Sequence, residues 1–330
     1  MNEFNIQYYR GSTLESEHKI LCSISSLKNK LLETTKGDEL FFPRSSIKVF
    51  QAIPFASSGA IHKFKLNKKQ IALSCSSHNS EEFHINQIKY WINKCNLKVS
   101  NLKCGSHLPL DEVSKFNLIK NNNFPNALNN NCSGKHLAML STCLANKKEI
   151  GTYLEFNHHH QKKIREVINL FTETKIRKIN YGIDGCGAPQ YSLSYNNIIN
   201  ALKNLIRSYN NKFEFFDETN ILIRSILSYP KFIGGTHNLD SNLIKISNKK
   251  LFCKGGAEGV FLFAHLENKI VGVLKVKDGN SRALPNAMYA ICKKFQLLSK
   301  NELMNFKKLV DNKIYNHANK KVGKIITVLK

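Results

Sequence analysis

The sequence predicts an α/β (α+β) fold, with a mixed sheet, flanking helices and an additional helical region. Three observations predict it. Strand patterns occur near both ends of the chain, helical periodicity dominates the middle, and no internal repeat breaks this order. A chain of 330 residues can bury the core that such a fold needs. We therefore expect residues 1–40 and 215–330 to form a sheet domain and residues 41–214 a mainly helical domain.

The two terminal regions contain the strand patterns. Residues 4–9 and 18–24 predict two short strands around the polar turn GSTLES. Towards the other end, the run LFCKGGAEGVFLFAHLENKIVGVLKVKDG predicts strands joined by turns. These segments are the expected members of the sheet.

The middle of the chain contains helical patterns and two polar loops. A helix is predicted to start after Pro43, and IRSILSYP predicts the end of another at Pro230. Lys135–Ala145 and Gln161–Thr172 predict further helices, while the runs FPNALNNNCSGKH and NHHHQKK predict loops. The segment EEFHINQIKYWINKC predicts an amphipathic helix with one apolar face, made of Phe83, Ile88, Trp91 and Ile92.

The chain is strongly basic, with 49 Lys and Arg against 24 Asp and Glu and a formal net charge of +25. A nucleic-acid site would need clustered cations, often with aromatic side chains on which bases stack. The lysines are instead dispersed along the whole chain, and aromatic residues are not interleaved with them. We therefore expect no nucleic-acid partner.

The cellular compartment is predicted from the opening segment and the cysteines. The opening MNEFNIQYYRGSTLESEHKI has no basic leader followed by an apolar run, and no apolar stretch reaches membrane-spanning length. Nine cysteines at irregular spacing, an odd number, favour reduced thiols over a disulfide framework. We expect a cytoplasmic protein with no membrane partner.

The segment RSSIKVFQAIP places Ser45 three residues before Lys48. On a helix, residues three apart share a face, so the hydroxyl and the amine can approach each other. A serine hydroxyl becomes an effective nucleophile when a neighbour takes its proton, and an amine can do so once its pKa is lowered. A solvated helix face is the alternative, because Ser-x-x-Lys alone is a common pattern.

Two more segments contain candidates for the same chemistry, each with a structural alternative. In SCSSHNSEE, Ser77 can be a second catalytic hydroxyl, or part of a helix N-terminal cap before the two glutamates. In CKGGAEGV, Lys254 can be a catalytic amine, or the glycines can mark a tight strand turn or a close backbone approach.

The segment NNCSGKH ends in Gly-Lys but is not a phosphate-binding loop. That motif needs a glycine at position 129 and Ser or Thr at position 136, where Asn129 and His136 stand. A helix start could instead place Cys132 and Lys135 on one side, with Cys186 supplied by GIDGCGAP, and two thiolates suit zinc. The alternative is that these cysteines are small buried apolar residues.

Five segments in this order resemble the class 3, or rhizobial-type, L-asparaginase family: RSSIKVFQAIP, SCSSHNSEE, NNCSGKH, GIDGCGAPQYSLSY and CKGGAEGV. The resemblance extends from YYRGSTLESEHK to KVKDGNSRALPNA and so covers nearly the whole chain. It implies hydrolysis of L-asparagine to L-aspartate and ammonia by a serine-dependent route. It also implies a fold similar to serine β-lactamases and penicillin-binding proteins, in which a Ser-x-x-Lys box, a second serine motif and a late Lys-x-Gly strand meet.

The resemblance assigns roles to particular residues. It implies two Ser-Lys pairs, Ser45 with Lys48 and Ser77 with Lys254. Two lysines near the two hydroxyls would each lower the pKa of the other, which makes a neutral amine base plausible. The family also implies a homodimer.

The same resemblance implies a zinc ion and a substrate site. The zinc ligands would be Cys132, Lys135 and Cys186, and the lysine would have to lose its proton to bind the metal. Substrate binding is expected of Arg44, which offers a fixed positive charge beside Ser45, of Asp184, which offers the opposite charge, and of His136. We expect L-asparagine as the small-molecule substrate.

Two residues depart from the family pattern, and two alternative functions remain open. Ser80 stands where the family usually has glycine, and Asn130 stands where histidine commonly precedes the NCSGKH box. One alternative is another serine amidase of the β-lactamase-like class, a glutaminase or a peptidase. The other is an inactive asparaginase-like binding protein.

Overall fold

The computed structural model describes residues 2–330. They form twelve strands, namely β1 (Phe4–Arg10), β2 (Thr13–Ser26), β3 (Lys30–Glu33), β4 (Leu40–Phe41), β5 (Tyr181–Ile183), β6 (Pro189–Tyr191), β7 (Leu193–Ser194), β8 (Leu251–Gly256), β9 (Val260–His265), β10 (Ile270–Val276), β11 (Lys313–Tyr315) and β12 (Lys321–Leu329).

The described residues also form twelve α-helices, namely α1 (Lys48–Ser57), α2 (Ala60–Lys63), α3 (Lys68–Leu73), α4 (Glu82–Lys94), α5 (Glu112–Lys120), α6 (Ser133–Ala145), α7 (His159–Thr172), α8 (Tyr195–Tyr209), α9 (Phe216–Ser228), α10 (Leu239–Ile246), α11 (Leu284–Lys294) and α12 (Lys300–Lys307). None of these helices is long and apolar enough to cross a membrane.

The main sheet has eight strands in the order β11-β12-β1-β2-β10-β9-β8, with β3 paired to β2. Every pair in it is antiparallel. The predicted α+β class is confirmed, but the sheet is antiparallel and not mixed. Consecutive strands β8, β9 and β10 are joined by short turns, which only antiparallel neighbours permit.

The N- and C-terminal strands meet inside the sheet, where β1 pairs with β12 from Phe4–Leu329 to Arg10–Gly323. The predicted turn GSTLES is shorter than expected: only Gly11 and Ser12 turn, and β2 already starts at Thr13. Gly11 has φ +56°, which lets the chain reverse within two residues. Thr13, Leu14 and Ser16 of the run pair with β1, and the register shifts at Glu15.

The predicted helices in the middle of the chain are confirmed, but α6 and α7 each start two residues earlier than predicted, at Ser133 and His159. The last four residues of the predicted loop FPNALNNNCSGKH therefore belong to α6. Ile88, Trp91 and Ile92 are buried on α4, and Phe83 is half-buried. The run NHHHQKK is not wholly a loop, because α7 starts at His159. His158 caps this helix by accepting a hydrogen bond from the His160 backbone N–H at 3.1 Å, so the local polar sequence stabilises a helix start.

The sheet and the helices share one apolar core. Strand β9 is buried at every position, so it is covered on both faces. Helix α8 packs against β2 and β10, α10 against β8, and α1 against α6, α7 and α9. The two ends of the chain contribute all strands of the main sheet, as predicted, while the division into domains at residues 40 and 214 stays a prediction.

All nine cysteines of the described residues are free and buried, in agreement with the expectation of reduced thiols. Burial raises the pKa of Cys22 and of Cys292 to about 12. These two cysteines therefore behave as small apolar core residues.

Helices α3 and α6 approach closely at Gly134, where an added Cβ would lie 2.3 Å from the Leu73 carbonyl oxygen. We expect Gly134→Ala to lower the free energy of unfolding by about 1–3 kcal/mol, because the clash with backbone exceeds the roughly 0.5–1 kcal/mol gained from alanine's helix propensity. Urea unfolding measures this change in the free energy of unfolding. Gly185→Ala is the control, since its Cβ would meet nothing within 4 Å. Equal stability of both variants would contradict the close approach.

Candidate active site

A cleft of about 690 Å³ lies where the start of α1, the loop after α3, the start of α6, the loop after β5 and the end of β8 meet. Most of the predicted site residues line it: Arg44, Ser45, Ser77, Cys132, Asp184, Cys186 and Lys254. Lys48, Lys135 and His136 are buried directly behind its wall. The tertiary structure therefore gathers sequence segments that are up to about two hundred residues apart.

Ser45 lies in a short 3-10 turn, Arg44–Ile47, that leads into α1 at Lys48. Arg44 has φ +54°, a left-handed conformation that is uncommon for a residue with a side chain. The end of β8 presses on this turn: a Cβ on Gly256 would lie 2.8 Å from the Pro43 carbonyl oxygen. The expected close backbone approach at KGGAEG is thus present, and it fixes the turn that carries Ser45.

Ser77 is the hydroxyl on which the two predicted lysines converge. Lys48 Nζ donates to Ser77 Oγ at 3.0 Å, and Lys254 Nζ donates to it at 3.2 Å. Ser45 Oγ has no hydrogen-bond partner among the described residues, although Ser45 lines the cleft. The structure therefore brings Ser77 and Lys254 together as expected but directs the Lys48 amine to Ser77 and not to Ser45.

Both amines are almost fully removed from solvent, with Lys48 0% and Lys254 1% exposed. Each is surrounded by hydrogen-bond acceptors, which buried amines require. Besides Ser77, Lys48 donates to the Ser76 carbonyl oxygen and to Cys132 Sγ. Lys254 donates to the Gly255 carbonyl oxygen at 2.9 Å. Burial lowers the pKa of Lys254 and so favours its neutral form, although the Asp240 carboxylate acts in the opposite direction.

The segment that carries Ser77 is fixed by backbone and side-chain hydrogen bonds. Ser77 N–H donates to the Ile233 carbonyl oxygen at 2.8 Å, and the ring of His78 contacts Ser133 Oγ through Nε2 at 2.8 Å. Ser80, which stands where the resemblance leads us to expect glycine, has φ +65°. That left-handed conformation explains why glycine suits this position, and Ser80 offsets part of the strain by donating to the Asn129 carbonyl oxygen.

The three predicted metal ligands lie together at the wall of the cleft, with Cys132 and Cys186 lining it and Lys135 buried behind them. Lys135 Nζ donates to Cys186 Sγ at 3.1 Å, and the hydrogen bond from Cys132 to Cys186 lowers the pKa of the Cys186 thiol to about 4. Burial opposes the charged form of Lys135, but the two sulfurs outweigh it and raise the pKa of Lys135. Two sulfurs and one amine around a point fit zinc, provided that the metal displaces the lysine proton. Among residues 2–330 no group of three or more His, Cys, Asp and Glu side chains could hold a metal ion, so any such site depends on the lysine.

Arg44 and Asp184 contact each other at the mouth of the cleft. Arg44 Nε donates to Asp184 Oδ1 at 2.9 Å, and its Nη2 lies 2.8 Å from the same oxygen. Burial acts to raise the pKa of Asp184, but Lys135 and Arg44 outweigh it and hold that pKa below its ordinary value. The two predicted substrate-binding residues thus supply one fixed positive and one fixed negative charge.

His136 lies behind Lys135 and faces away from the cleft. Its Nδ1 is 2.6 Å from Tyr153 Oη, and its Nε2 has no hydrogen-bond partner among the described residues. Burial and the neighbouring Lys135 lower the pKa of His136 to about 3, so the ring is neutral. This placement does not support direct contact between His136 and a substrate.

Asp240 is a site residue that the sequence analysis missed. It lies in the first turn of α10, lines the cleft, and its Oδ2 accepts hydrogen bonds from Lys254 Nζ at 3.4 Å and from Gly255 N–H at 3.1 Å. No local pattern distinguishes it from an ordinary acidic residue of a first helical turn. Its position shortly before the Lys-Gly-Gly segment is the one signal that could have indicated it.

A second cavity of about 560 Å³ lies between the C-terminal ends of α1 and α6 and the helix α7. It contains none of the predicted site residues. The convergence of hydroxyls, amines and thiols therefore identifies the 690 Å³ cleft as the candidate active site.

Three solved structures are similar to this chain at low sequence identity. A putative β-lactamase from Bacteroides dorei DSM 17855 is 10% identical, with 88% of this chain and 93% of that chain covered and a TM-score of 0.40. A protein called Mglu is 10% identical, with coverages of 84% and 67% and a TM-score of 0.42. The D-alanine carboxypeptidase AmpC from Burkholderia cenocepacia is 9% identical, with coverages of 88% and 92% and a TM-score of 0.36. Likeness at this level supports no conclusion about the activity of this chain.

Comparison with protein families is more specific. Among curated proteins, none matches the chain. A family model described as L-asparaginase II matches residues 6–327, which is almost the whole length. This match confirms the resemblance inferred from the five sequence segments and supports an amidohydrolase activity. The chain belongs to the L-asparaginase II family.

Proposed function

We propose that this protein hydrolyses the side-chain amide of L-asparagine to L-aspartate and ammonia through a serine nucleophile. The observation that carries the proposal is the convergence of two buried amines, Lys48 and Lys254, on one hydroxyl in the cleft that also contains Ser45. Membership of the L-asparaginase II family supports the substrate. Such amines activate hydroxyls when one of them is neutral.

In the proposed reaction, Ser45 Oγ forms a bond to the carbonyl carbon of the asparagine side chain. The Ser45 proton passes to Ser77 Oγ as the Ser77 hydroxyl gives its own proton to a neutral lysine amine, since both amines lie within hydrogen-bond distance of Ser77 Oγ. The carbon–nitrogen bond then breaks, and the amide nitrogen takes that proton and leaves as ammonia. A water molecule adds to the serine ester, which releases aspartate and restores the hydroxyl.

The charged ends of the amino acid need partners at the mouth of the cleft. Arg44 suits the α-carboxylate, because a guanidinium donates two parallel hydrogen bonds to such a group. Asp184 suits the α-ammonium. Since Arg44 and Asp184 are paired with each other in the free protein, substrate binding would exchange that ion pair for two contacts with the ligand.

We further propose that Cys132, Lys135 and Cys186 hold a zinc ion that organises the substrate site. The ion would supply a positive charge beside Asp184 and would join the start of α6 to the loop after β5. The reacting hydroxyl and its bases come from other residues. The contribution of these three ligands is therefore to position Asp184 and the substrate.

The function is tested by ammonia release from the purified protein with L-asparagine, L-glutamine and a β-lactam. We expect release from asparagine at the highest kcat/KM. Faster turnover of glutamine, or opening of the β-lactam, would favour another serine amidase of the same class. No turnover of any of the three would favour an inactive binding protein.

The zinc proposal predicts about one zinc per chain and a split effect of Cys186→Ser. This variant should lose the metal and raise KM by about 10–100-fold, while kcat falls less, because the ligands position substrate without supplying the nucleophile. Elemental analysis and steady-state kinetics measure both effects. Cys143→Ser, a buried cysteine elsewhere on α6, should keep the metal. A protein that contains no zinc when prepared without chelators would contradict the proposal, as would unchanged KM with abolished turnover.

A further inference from the structure

The carboxylate of Asp240 is buried at the active site without a role in the reaction proposed above. It is 4% exposed. Its two oxygens have defined partners: Oδ1 accepts from Ser241 N–H at 2.8 Å, and Oδ2 accepts from Gly255 N–H at 3.1 Å and from Lys254 Nζ at 3.4 Å. A buried carboxylate with this many donors is held in one orientation.

The loop that leads into α10, just before Asp240, is joined to the Ser77 segment. Glu81 accepts hydrogen bonds from the backbone N–H of Thr236 at 2.7 Å and from its hydroxyl at 2.5 Å. Asn79 Nδ2 donates to Asn238 Oδ1 at 2.9 Å. These hydrogen bonds therefore hold Asp240 and Ser77 at a fixed distance. The Lys254 amine lies between Asp240 and Ser77, 3.2 Å from Ser77 Oγ.

Lys254 Nζ has three acceptors around it, namely Ser77 Oγ, Asp240 Oδ2 and the Gly255 carbonyl oxygen. Only Asp240 among these partners carries a negative charge. Without it, a neutral amine could rotate its lone pair and its two hydrogens away from Ser77. The carboxylate therefore fixes the direction in which the amine faces.

We propose that Asp240 is a positioning residue, which holds the Lys254 amine against Ser77 and determines the pH range in which that amine can accept a proton. This inference rests on the proposed function, because it takes Lys254 as a base of the serine reaction. Asp240 does not touch the reacting atoms. It acts through Lys254 alone.

The charges around Lys254 determine the direction of the effect. Burial and Lys48 on α1 favour the neutral amine, while Asp240 on α10 and Cys132 at the start of α6 favour the protonated one. Cys75, after α3, also lies within electrostatic range. Removing the Asp240 charge removes the main opposition to burial and to Lys48, which both favour the neutral Lys254 amine. The amine then becomes neutral at a lower pH, and activity that needs a neutral amine begins to rise at a lower pH.

The test compares Asp240→Asn with Asp240→Glu and with a matched control, Asp217→Asn, an exposed aspartate in the first turn of α9. For Asp240→Asn we expect the acidic limb of the kcat/KM profile to move down by about one pH unit and kcat to fall about tenfold or more. Asp240→Glu keeps the negative charge, so the acidic limb of its kcat/KM profile should not move, while its kcat should fall. Asp217→Asn should match the parent in both respects.

A second measurement separates this inference from the proposed function. Carbon-13 NMR of protein labelled at the lysine side chains, with Lys254→Arg to assign the signal, follows protonation of the Lys254 amine without any substrate. If the parent hydrolyses no amide, the proposed function fails, yet a lower titration midpoint in Asp240→Asn still supports the role of Asp240.

The inference is overturned if Asp240→Asn leaves both the acidic limb of the kcat/KM profile and the Lys254 titration unchanged. A lower kcat would not rescue it, because the loss of a merely structural residue can also lower kcat. Should Asp240→Asn fail to fold, Asp240→Ala takes its place. Its acidic limb and its Lys254 titration midpoint should both lie at lower pH than in the parent, and an unmoved limb with an unchanged midpoint overturns the positioning role.

Discussion

Replacing Ser45 with alanine is expected to lower the rate of asparagine hydrolysis by about four orders of magnitude or more, as loss of a nucleophile does in other serine enzymes. The protein should remain folded, because Ser45 Oγ has no hydrogen-bond partner among residues 2–330 and lies in a cleft where no packing is lost. Steady-state kinetics and a circular dichroism melt measure the two effects.

The neighbouring serine provides a matched control. Ser46 is fully buried, and its Oγ donates to the Pro43 carbonyl oxygen at 2.6 Å, so it supports the same turn without reaching the cleft. We expect Ser46→Ala to cost about 1 kcal/mol of stability and to keep activity within tenfold of the parent. Activity of Ser45→Ala within tenfold of the parent would rule out Ser45 as the nucleophile.

Because both lysine amines contact Ser77, that serine is the other candidate for the covalent intermediate. Acid quenching during turnover, followed by mass spectrometry of the peptides, locates the aspartyl ester. We expect the adduct on the peptide that contains Ser45. An adduct on the Ser77 peptide would reverse the roles of the two serines and leave the amide hydrolysis itself intact.

The second large effect is expected for Lys254→Met, which keeps the length of the side chain and removes the amine. General base catalysis contributes about 10²–10⁴-fold, so kcat should fall by about that factor. Burial lowers the pKa of Lys254, and the rate of the parent should therefore rise as pH rises through that lowered pKa, where the amine becomes neutral. The variant should lose this limb of the pH profile.

Lys203 on α8 gives the control for this substitution. Burial lowers its pKa as well, but it does not line the active-site cleft. Lys203→Met should keep both kcat and the acidic limb. If Lys254→Met retained activity within tenfold of the parent and the same limb, Lys48 would have to be the base in place of Lys254.

Much of the candidate site could be predicted from local sequence. Ser45, Ser77, Lys254, Cys132 and Cys186 each stand in a short box whose residue types suit one kind of chemistry, and the structure gathers all five at one cleft. Helix starts and strand patterns were predicted for the same reason, since they depend on periodicity and on capping residues within a few positions. The roles of these residues in catalysis stay predictions until the kinetics are measured.

Contacts between distant residues could not be predicted in this way. The Lys48 amine reaches across 29 positions to Ser77 and not across three to Ser45. Asp240 reaches Lys254 through the packing of α10 against β8. No single box contains the information for either contact, because each depends on the angle at which two elements pack.

The sequence by itself determined which functional groups this protein has, the order in which they occur and the secondary structure that carries most of them. The tertiary structure alone decided which groups meet, that the sheet is antiparallel throughout the described residues, and that His136 faces Tyr153 and not the cleft. The physical reason is the separation along the chain over which each kind of interaction acts. Propensity, periodicity and capping act within a few residues, whereas burial and the pairing of buried polar groups are satisfied only when the whole core is assembled.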